Sequence, residues 1–368
     1  MIVKLTLDVG AGADLGGFDL YSNSTGSFVK FSVSPITRQQ LLNGYSTSLV
    51  PTGTTIVRIT SLGSCTNSYD STVALIPVSG EYIIIGDSNN VSVSDDFGIS
   101  FNTQLLFPSG TNLGNGLDIN RDGKYMTIAF YGDKIFTSNN YGLNWTQRNY
   151  TENWRDVSVS DNGKYQVAIS DAGAYVSDDF GVTWTNRLST PNPWSVGMNN
   201  SGSEMFVSVN GYSEGIYKSI DYGLTWSKLY TLNYTNDIAV SKNNSKYIIV
   251  IVSNSIYRSD DFGVSFTQML LGTYGSFNDV SMSNDGKYQL LVTNSIGSGI
   301  IVSSDYGVTW NSISGSASNN YNGSFVTETG ETMATITSAN QYFISLNFGA
   351  TWNASAGGSI GTSISVNK

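Results

Sequence analysis

The chain has 368 residues, of which 40% are hydrophobic and 12% aromatic, so it can bury a sizeable core and is not a disordered tail. Its 28 acidic and 18 basic residues give a net charge of −10, which leaves little from which to build a basic surface for nucleic acid or anionic membrane. One cysteine, Cys65, and no histidine exclude an intrachain disulfide and the commonest general base and metal ligand.

Residues 1–68 form the first predicted unit. Apolar and β-branched runs predict strands at 2–8, 18–22, 28–33 and 54–61, and TRQQLLNGY at 37–45 predicts one short helix or turn. This pattern favours a small β-sandwich-like domain. The stretches LLNGY, VPTGTT and SLGSCTN make it similar to a module near the N-termini of virion proteins from tailed phages of Bacteroidetes. That resemblance implies a domain that docks to other virion proteins.

An octapeptide, SDDFGVTW at 177–184, returns in close copies along the rest of the chain. The copies place their glycines at Gly98, Gly142, Gly181, Gly223, Gly263, Gly307 and Gly349. The period near 42 residues is that of a supersecondary unit. A second signature, DVSVSDNGKYQVAIS from Asp156, alternates with the octapeptide, so each unit reads as four short strands.

A β-propeller blade contains four strands in about 40 residues, and such blades repeat around a ring. The seven copies predict an all-β, seven-bladed propeller over residues 69–368. We expect the tail at 361–368 to pair within the first blade and fasten the two ends, with TVALIPV at 72–78 as the competing first strand.

The octapeptide resembles the Asp-box, or BNR repeat, of sialidases, sortilin-type receptors and some glycoside hydrolases and assembly factors. The resemblance implies a structural hairpin between the third and fourth strands, away from any catalytic centre. We therefore predict turn-forming roles for the residue in the Asp position of each copy, which is Asp96, Asn140, Asp179, Asp221, Asp261, Asp305 and Asn347. Asn can accept the same hydrogen bonds as Asp, so we expect the two Asn turns to form.

A sialidase would need three arginines to clamp the carboxylate of its substrate. The predicted propeller contains Arg121, Arg148, Arg155, Arg187 and Arg258. Of these, only Arg155 is expected at the central face, because Arg148 and Arg187 follow boxes on outermost strands. The sequence therefore argues against a sialidase.

Another glycoside hydrolase would need only two carboxylates across a central cleft. The candidates are Asp118, Asp156, Asp237 and Asp279, near the predicted first strands. Three of them recur at similar positions in different blades, which favours pairing with the backbone over catalysis. No loop has the spacing of a calcium loop, so we predict neither a metal nor another cofactor.

Aromatic and amide residues are frequent in the connections that precede the first strands. The candidate ligand-binding residues are Trp154, Arg155, Trp194, Tyr234, Phe277 and Tyr321. Aromatic rings and amides on one rim suit sugar recognition. However, Trp154, Phe277 and Tyr321 recur in phase, each nine residues before a turn position, which favours a packing role for these three.

The sequence-based hypothesis is a non-enzymatic phage virion protein, in a tail or head fibre, that attaches to a host-surface glycan or assembles with its neighbours. The alternative is a virion-associated glycan-degrading enzyme that uses the central carboxylates. The start of the chain lacks the features of a signal peptide, so we expect synthesis in the bacterial host cytoplasm and residence in the virion. We expect no nucleic-acid partner and no membrane insertion. The sequence does not decide whether the chain forms a homo-oligomer.

Overall fold

The computed structural model describes residues 3–5, 18–22, 27, 29–30, 32, 35, 45–47, 56–61, 68–72, 82–86, 90–94, 102–106, 112–269, 276–293, 299–313, 316, 319–338, 341–355 and 363–366. The chain divides into two compact units, Met1–Gly80 and Glu81–Lys368. The described residues form strands and turns without an α-helix, so the all-β prediction is confirmed. Within them, no helix has the length and hydropathy that crossing a membrane requires.

The first unit contains an antiparallel sheet and a separate strand pair. The sheet has the order Val29–Lys30, Phe18–Ser22, Ile56–Ser61 and Ser68–Thr72, and the pair joins Val3–Leu5 to Tyr45–Thr47. Ser68–Thr72 extends this unit past residue 68, where the sequence predicts a boundary. Most of the predicted helix or turn at 37–45, the competing strand at 72–78, Cys65 and Asp96 lie outside the described residues.

The second unit consists of antiparallel sheets that follow one another along the chain, which we number 1 to 7. Sheet 1 orders Ser363–Val366, Ile83–Gly86, Asn90–Ser94 and Asn102–Leu106. Sheets 2 and 3 are hydrogen-bonded in series through Asn112–Ile119, Met126–Ser138, Thr146–Val159, Gln166–Ser170, Gly173–Ser177 and Thr185–Leu188. Thr146–Val159 pairs first with Met126–Ser138 and then, from Trp154, with Gln166–Ser170, so its two parts belong to different sheets.

The remaining sheets each use four consecutive strands. Sheet 4 contains Pro193–Met198, Met205–Val209, Gly215–Ser219 and Ser227–Thr231, and sheet 5 contains Thr235–Val240, Ile248–Val252, Ser255–Ser259 and Thr267–Met269. Sheet 6 contains Phe277–Met282, Gln289–Thr293, Ile300–Ser303 and Asn311–Ser312, and sheet 7 contains Tyr321–Val326, Met333–Thr337, Tyr342–Ser345 and Asn353–Ser355.

The hydrophobic core lies between neighbouring sheets rather than within one. Val167 and Ile169 of sheet 3, for example, pack against Val196 and Met205 of sheet 4. The last sheet packs on the first in the same manner, where a single cluster joins residues of sheet 7 to the C-terminal strand. A single sheet would leave these apolar faces in water, so each sheet depends on its neighbours for burial.

A tyrosine contact repeats at the seams between sheets. Tyr125 of sheet 2 stacks on Phe180 in the box of sheet 3, with ring centroids 4.8 Å apart, and Tyr247 stacks on Tyr306 at 4.6 Å. The box aromatic reaches the preceding sheet because its backbone is left-handed, with a φ of 63° at Phe180. That conformation is unusual for a bulky residue, so the surrounding turn must impose it. We call this contact the tyrosine latch.

The latch also explains a glycine in the turn between the first and second strands. A Cβ at Gly163 would overlap the ring of Tyr125, and the same holds for each turn glycine that faces a tyrosine of the preceding sheet. At the seam between sheets 4 and 5, Glu204 stands in the tyrosine position and pairs with Lys218. At this seam no tyrosine ring faces the turn, and Ser245, with a φ of 57°, occupies the position of the turn glycine.

Gly163→Ala tests the steric part of the latch. Gly132→Ala is a matched control, because Gly132 has a similar φ of 74° but its added Cβ would meet nothing closer than 3.8 Å. Both variants carry the strain of a left-handed alanine, and only G163A must also displace Tyr125. We expect G163A to lower the free energy of unfolding, measured by urea denaturation, by about 1–3 kcal/mol more than G132A does. Equal losses would mean that the ring does not restrict this turn.

The seam between sheets 4 and 5, which lacks the tyrosine, allows a test in which the ring is added. Ser245 is buried and its hydroxyl makes no hydrogen bond, so S245G alone should cost little. E204Y alone loses the pair with Lys218 and meets the Ser245 side chain, so it should destabilise. In the double variant the new ring can stack on Phe262, and we expect a favourable coupling of about 1 kcal/mol in a double-mutant cycle measured by urea denaturation. Additive effects would contradict the latch.

Candidate functional site

In the boxes that the structure describes, the Ser and the Asp or Asn form a hydrogen-bonded turn. Ser177 Oγ accepts from the Gly181 amide at 3.0 Å and donates to Asp179 Oδ1 at 2.8 Å. Asp179 also accepts from the amide and hydroxyl of Thr183, at 2.8 and 2.7 Å. In sheet 4 the equivalent hydroxyl and amide of Thr225 lower the pKa of Asp221 to about 2. The Asp side chains therefore act as ionised turn braces, with their oxygens directed into the backbone.

The two Asn boxes make the same turn. Asn140 Oδ1 accepts from the Asn144 amide, and Asn347 Oδ1 accepts from the Thr351 amide, both at 2.9 Å. The box tryptophan completes the turn, since Trp184 Nε1 donates to the Gly181 carbonyl at 3.1 Å. Trp184 is buried against side chains of sheets 2 and 3, so it lies in the seam between them.

The first strands line a central cavity of about 190 Å³. Asp156, Asp237 and Asp279 stand at equivalent positions where three of these strands begin. Asp156 accepts from the Val196 amide of the next sheet at 2.8 Å, and Asp237 accepts likewise from the Val280 amide at 2.8 Å. These carboxylates therefore connect adjacent sheets, and we call each such contact a carboxylate bridge.

Two more of the predicted carboxylates, Asp279 and Asp118, act in the same way. Asp279 accepts from the amide and hydroxyl of Ser324 in sheet 7, at 2.8 and 2.5 Å. Asp118 lies two positions deeper along its strand, where it accepts from the Val159 amide at 2.8 Å and from Ser365 Oγ at 3.0 Å. All four predicted carboxylates thus line the cavity and hold backbone or hydroxyl groups of a neighbouring sheet.

Burial raises the pKa values of Asp156, Asp237 and Asp279, and the charge of Asp237 adds to the effect at Asp156 and Asp279. Burial is the larger cause at Asp279, and together with the charge of Asp237 it raises the pKa of Asp279 to about 8. The same two causes raise the pKa of Asp156 well above its usual range. At neutral pH Asp279 therefore holds a proton that an exposed aspartate would have released.

The arginine that lines the central cavity is not Arg155, which the sequence places at the central face. Arg121 lines the cavity instead, at the end opposite the carboxylate bridges, where it bonds Glu328 Oε1 at 3.0 Å. Arg155 does not line that cavity and binds Asp171 at 2.7 Å. The sequence missed Arg121 because it follows its strand, and the bond to Glu328 joins residues 207 positions apart.

The ligand-binding prediction for Trp154, Phe277 and Tyr321 is corrected by their burial. Trp154 and Tyr321 have exposed fractions of 0%, and Phe277 has 5%, so none of these rings offers a ligand an open face. Trp154 packs edge-to-face on Tyr175, and Tyr321 donates its hydroxyl to the Ser316 carbonyl. The in-phase spacing of these three rings reflects packing, since each fills the equivalent place in its sheet.

Two of the other predicted ligand-binding residues, Trp194 and Arg155, lie in an exposed cluster. Trp194 is 42% exposed, and the guanidinium of Arg155 lies 4.5 Å from its ring centroid. Tyr131, also 42% exposed, is 5.9 Å from the same guanidinium. Asp171 accepts from Arg155 Nε and Nη2 at 2.9 and 2.7 Å and from Asn153 Nδ2 at 2.8 Å. We call Tyr131, Asn153, Arg155, Asp171 and Trp194 the rim cluster.

Two further tyrosines are exposed at the same ends of the sheets. Tyr212 is 77% exposed and Tyr234 is 50% exposed. Tyr234 is held in a left-handed conformation, with a φ of 59°, while its amide donates to the Gly211 carbonyl and its carbonyl accepts from the Ser253 amide. The sequence pattern does not single out Tyr131, which lies inside the strand Met126–Ser138, or Tyr212, which lies in a turn, because only a glycine beside each ring marks them.

Antiparallel order places these side chains at one end of the sheets. The turn between the second and third strands and the connection to the next first strand lie at the same end of each sheet, and the boxes lie at the other. We call these the rim end and the box end. Within the described part of the chain, no group of three His, Cys, Asp or Glu side chains is arranged to hold a metal ion.

Comparison with known proteins supports the fold. The family profile of the BNR-Asp box repeat matches residues 256–269. The structure of YCF48 bound to D1 peptide has a TM-score of 0.53 at 14% identity, and covers 70% of this chain and 86% of that chain. YCF48 from Cyanidioschyzon merolae has a TM-score of 0.54 at 14% identity, with coverage of 68% and 86%. A nidogen/laminin complex aligns at 12% identity and a TM-score of 0.49, with coverage of 65% and 96%.

No curated protein matches the sequence. The repeat match and the first two structural similarities together show that the chain contains a β-propeller with Asp-box repeats. At these identities the similarity concerns the fold alone, and no ligand of those proteins can be transferred to this chain.

Asp279→Asn tests the electrostatics of the carboxylate bridges. A pKa raised from 3.8 to about 8 means that the folded protein holds the proton more tightly than the unfolded chain, so the free energy of unfolding falls as pH rises across this range. Asn can still accept from Ser324 but does not titrate. We expect D279N to flatten the fall by up to about 1.4 kcal/mol per pH unit, measured by urea denaturation at several pH values.

Asp122→Asn is the control for D279N. It removes one charge from an exposed turn, where Asp122 accepts from the Lys124 amide as Asn162 does from the Lys164 amide in sheet 3. D122N should leave the pH dependence of the wild type unchanged. If D279N also left it unchanged, the proposed proton uptake at Asp279 would be wrong.

Proposed function

We propose that the chain is a non-enzymatic phage virion protein, in a tail or head fibre, whose propeller attaches to a host-surface glycan. The observation that carries the binding part is the set of exposed aromatic rings at the rim end, Tyr131, Trp194, Tyr212 and Tyr234. Aromatic faces beside amides and charged groups suit sugars, which have both apolar C–H faces and hydroxyls. The virion context rests on the resemblance of the N-terminal segment.

We further propose that the seven sheets close into one seven-bladed ring. The contacts of Ser363–Val366 support this, because the strand pairs with Ile83–Gly86 and also contacts Asn112–Ile119 and Tyr321–Val326, the first strands of sheets 2 and 7. In this arrangement the first unit, proposed to be a small sandwich-like domain, docks to other virion proteins. The ring then presents its rim end to the host.

A glycan-degrading enzyme is the second candidate, favoured by one observation. An aspartate with a pKa of about 8 keeps its proton at neutral pH, as a general acid must, and Asp279 has such a value. Against this role, Asp279 and Asp156 are bound to groups of the next sheet. An enzyme would release new reducing ends from host polysaccharide and lose that activity in D156N and D279N, whereas the attachment function predicts no release by the wild type.

Retention on cells tests the attachment function. We expect the full chain to sediment with cells of a susceptible Bacteroidetes strain and to lose that retention when periodate oxidises their surface sugars. The variant Y131A/W194A/Y212A/Y234A should be retained at least tenfold less. The control variant L224A/V264A changes two exposed residues at the box end, 56% and 75% exposed, and should be retained as the wild type is.

Two results would contradict this function. Retention that survives periodate but is lost after protease treatment of the cells would indicate a protein receptor. Absence of retention across a panel of strains that the phage infects would favour an internal structural role or assembly with neighbouring virion proteins.

A further inference from the structure

We infer that the rim cluster is a subsite for an uncharged pyranose sugar, with Trp194 as its stacking surface. This inference rests on the proposed glycan attachment and names the class of ligand. The rest of the rim end offers rings without such surroundings, since the Tyr212 backbone lies in an exposed turn and its ring is 77% exposed. In the rim cluster, aromatic, cationic and anionic groups from three consecutive sheets meet.

The guanidinium of Arg155 fixes the position of the Trp194 ring. It lies over that ring at 4.5 Å and over the Tyr131 ring at 5.9 Å, so it is placed between aromatic groups of sheets 2 and 4. Two hydrogen bonds to Asp171 and one from Asn153 to the same carboxylate set the plane of the guanidinium. A cation held in this way orders the ring before a ligand arrives, which lowers the entropy cost of binding.

The side chains around Trp194 match the two surfaces of a pyranose. An exposed fraction of 42% leaves indole surface for the apolar C–H face of a sugar ring. Asp171 can accept hydrogen bonds from hydroxyls, and hydrogen bonds to ionised groups are about twice as strong as neutral ones. Burial opposes the ionisation of Asp171, but the hydrogen bonds from Asn153 and Arg155 outweigh it and lower the pKa of this carboxyl, so it remains an acceptor at neutral pH.

Charge decides between neutral and acidic sugars. Arg155 is the cation of the cluster, and its charge is already matched by Asp171 at 2.7 Å. Next to them, Glu152 is bound to the Tyr175 hydroxyl and Asp133 is paired in register with Glu152, so two further acidic residues lie beside the cluster, with Lys134 following them in the same register. The whole chain has a net charge of −10. A sugar carboxylate would thus find no unmatched cation in the cluster and would be repelled by its surroundings.

Affinity electrophoresis through gels that contain one polysaccharide tests the subsite directly. Dextran and yeast mannan are the neutral probes, and polygalacturonate and polysialic acid are the acidic ones. We expect the full chain to be retarded by at least one neutral probe and by neither acidic probe. W194A should weaken the retardation at least tenfold, and W194F should restore part of it because it keeps an aromatic face.

Two variants separate the cluster from general loss of an exposed apolar side chain. L224A removes a side chain at the box end, with an exposed fraction of 56%, and should bind the neutral probe within about twofold of the wild type. R155K keeps the charge but loses the planar pair of bonds to Asp171, so it should weaken binding about threefold to tenfold if ring position matters. Far-ultraviolet circular dichroism and urea denaturation of W194A and R155K check that the sheets remain folded.

The outcomes distinguish failure of this inference from failure of the proposed function. Retention on cells that persists in W194A, or retardation by an acidic probe in preference to a neutral one, would overturn the subsite while leaving glycan attachment intact. A wild-type chain that binds neither cells nor neutral probes would contradict both. Neutral-probe binding that W194A abolishes, without retention on cells, would support the subsite and contradict attachment.

Discussion

The seam between neighbouring sheets is the constraint on which the rest of the second unit depends. The apolar side chains of one sheet are buried only by the next, and the tyrosine latch at the box end and the carboxylate bridge near the rim end fix how the two meet. The latch requires a left-handed aromatic in the box and a turn without a side chain opposite it. Much of the repeated sequence therefore forms the contacts between neighbouring sheets.

The same seams account for the hydrogen bonds of the repeated aspartates. The carboxylate oxygens of the box aspartates accept hydrogen bonds from turn amides. Those of the aspartates around the cavity accept hydrogen bonds from the first strand of the next sheet. The side chains that take no part in these contacts lie at the rim end. There the strand ends bring Tyr131, Arg155 and Trp194 together from three sheets. A rigid scaffold thus holds a cluster whose members are far apart in sequence.

Much of the fold could be predicted because its determinants are local. The box, the turn glycine and the tyrosine two residues after it specify hairpins, and their period gives the four-stranded unit. The phase of Trp154, Phe277 and Tyr321 correctly favoured packing. The rim cluster could not be predicted in the same way, because Asp171 and Tyr131 meet Arg155 across turns that the repeat does not specify. The bond between Arg121 and Glu328 is likewise invisible to a local pattern.

Native-state hydrogen exchange measures the coupling between sheets most directly. The amides of Val159, Val196 and Val280 lie in sheets 3, 4 and 6, and each donates to an aspartate of the preceding sheet. If the seams join the sheets into one cooperative structure, these three amides should open with the same free energy, equal to that of global unfolding. Three different opening free energies, each well below the global value, would show that the sheets unfold separately and would contradict the account.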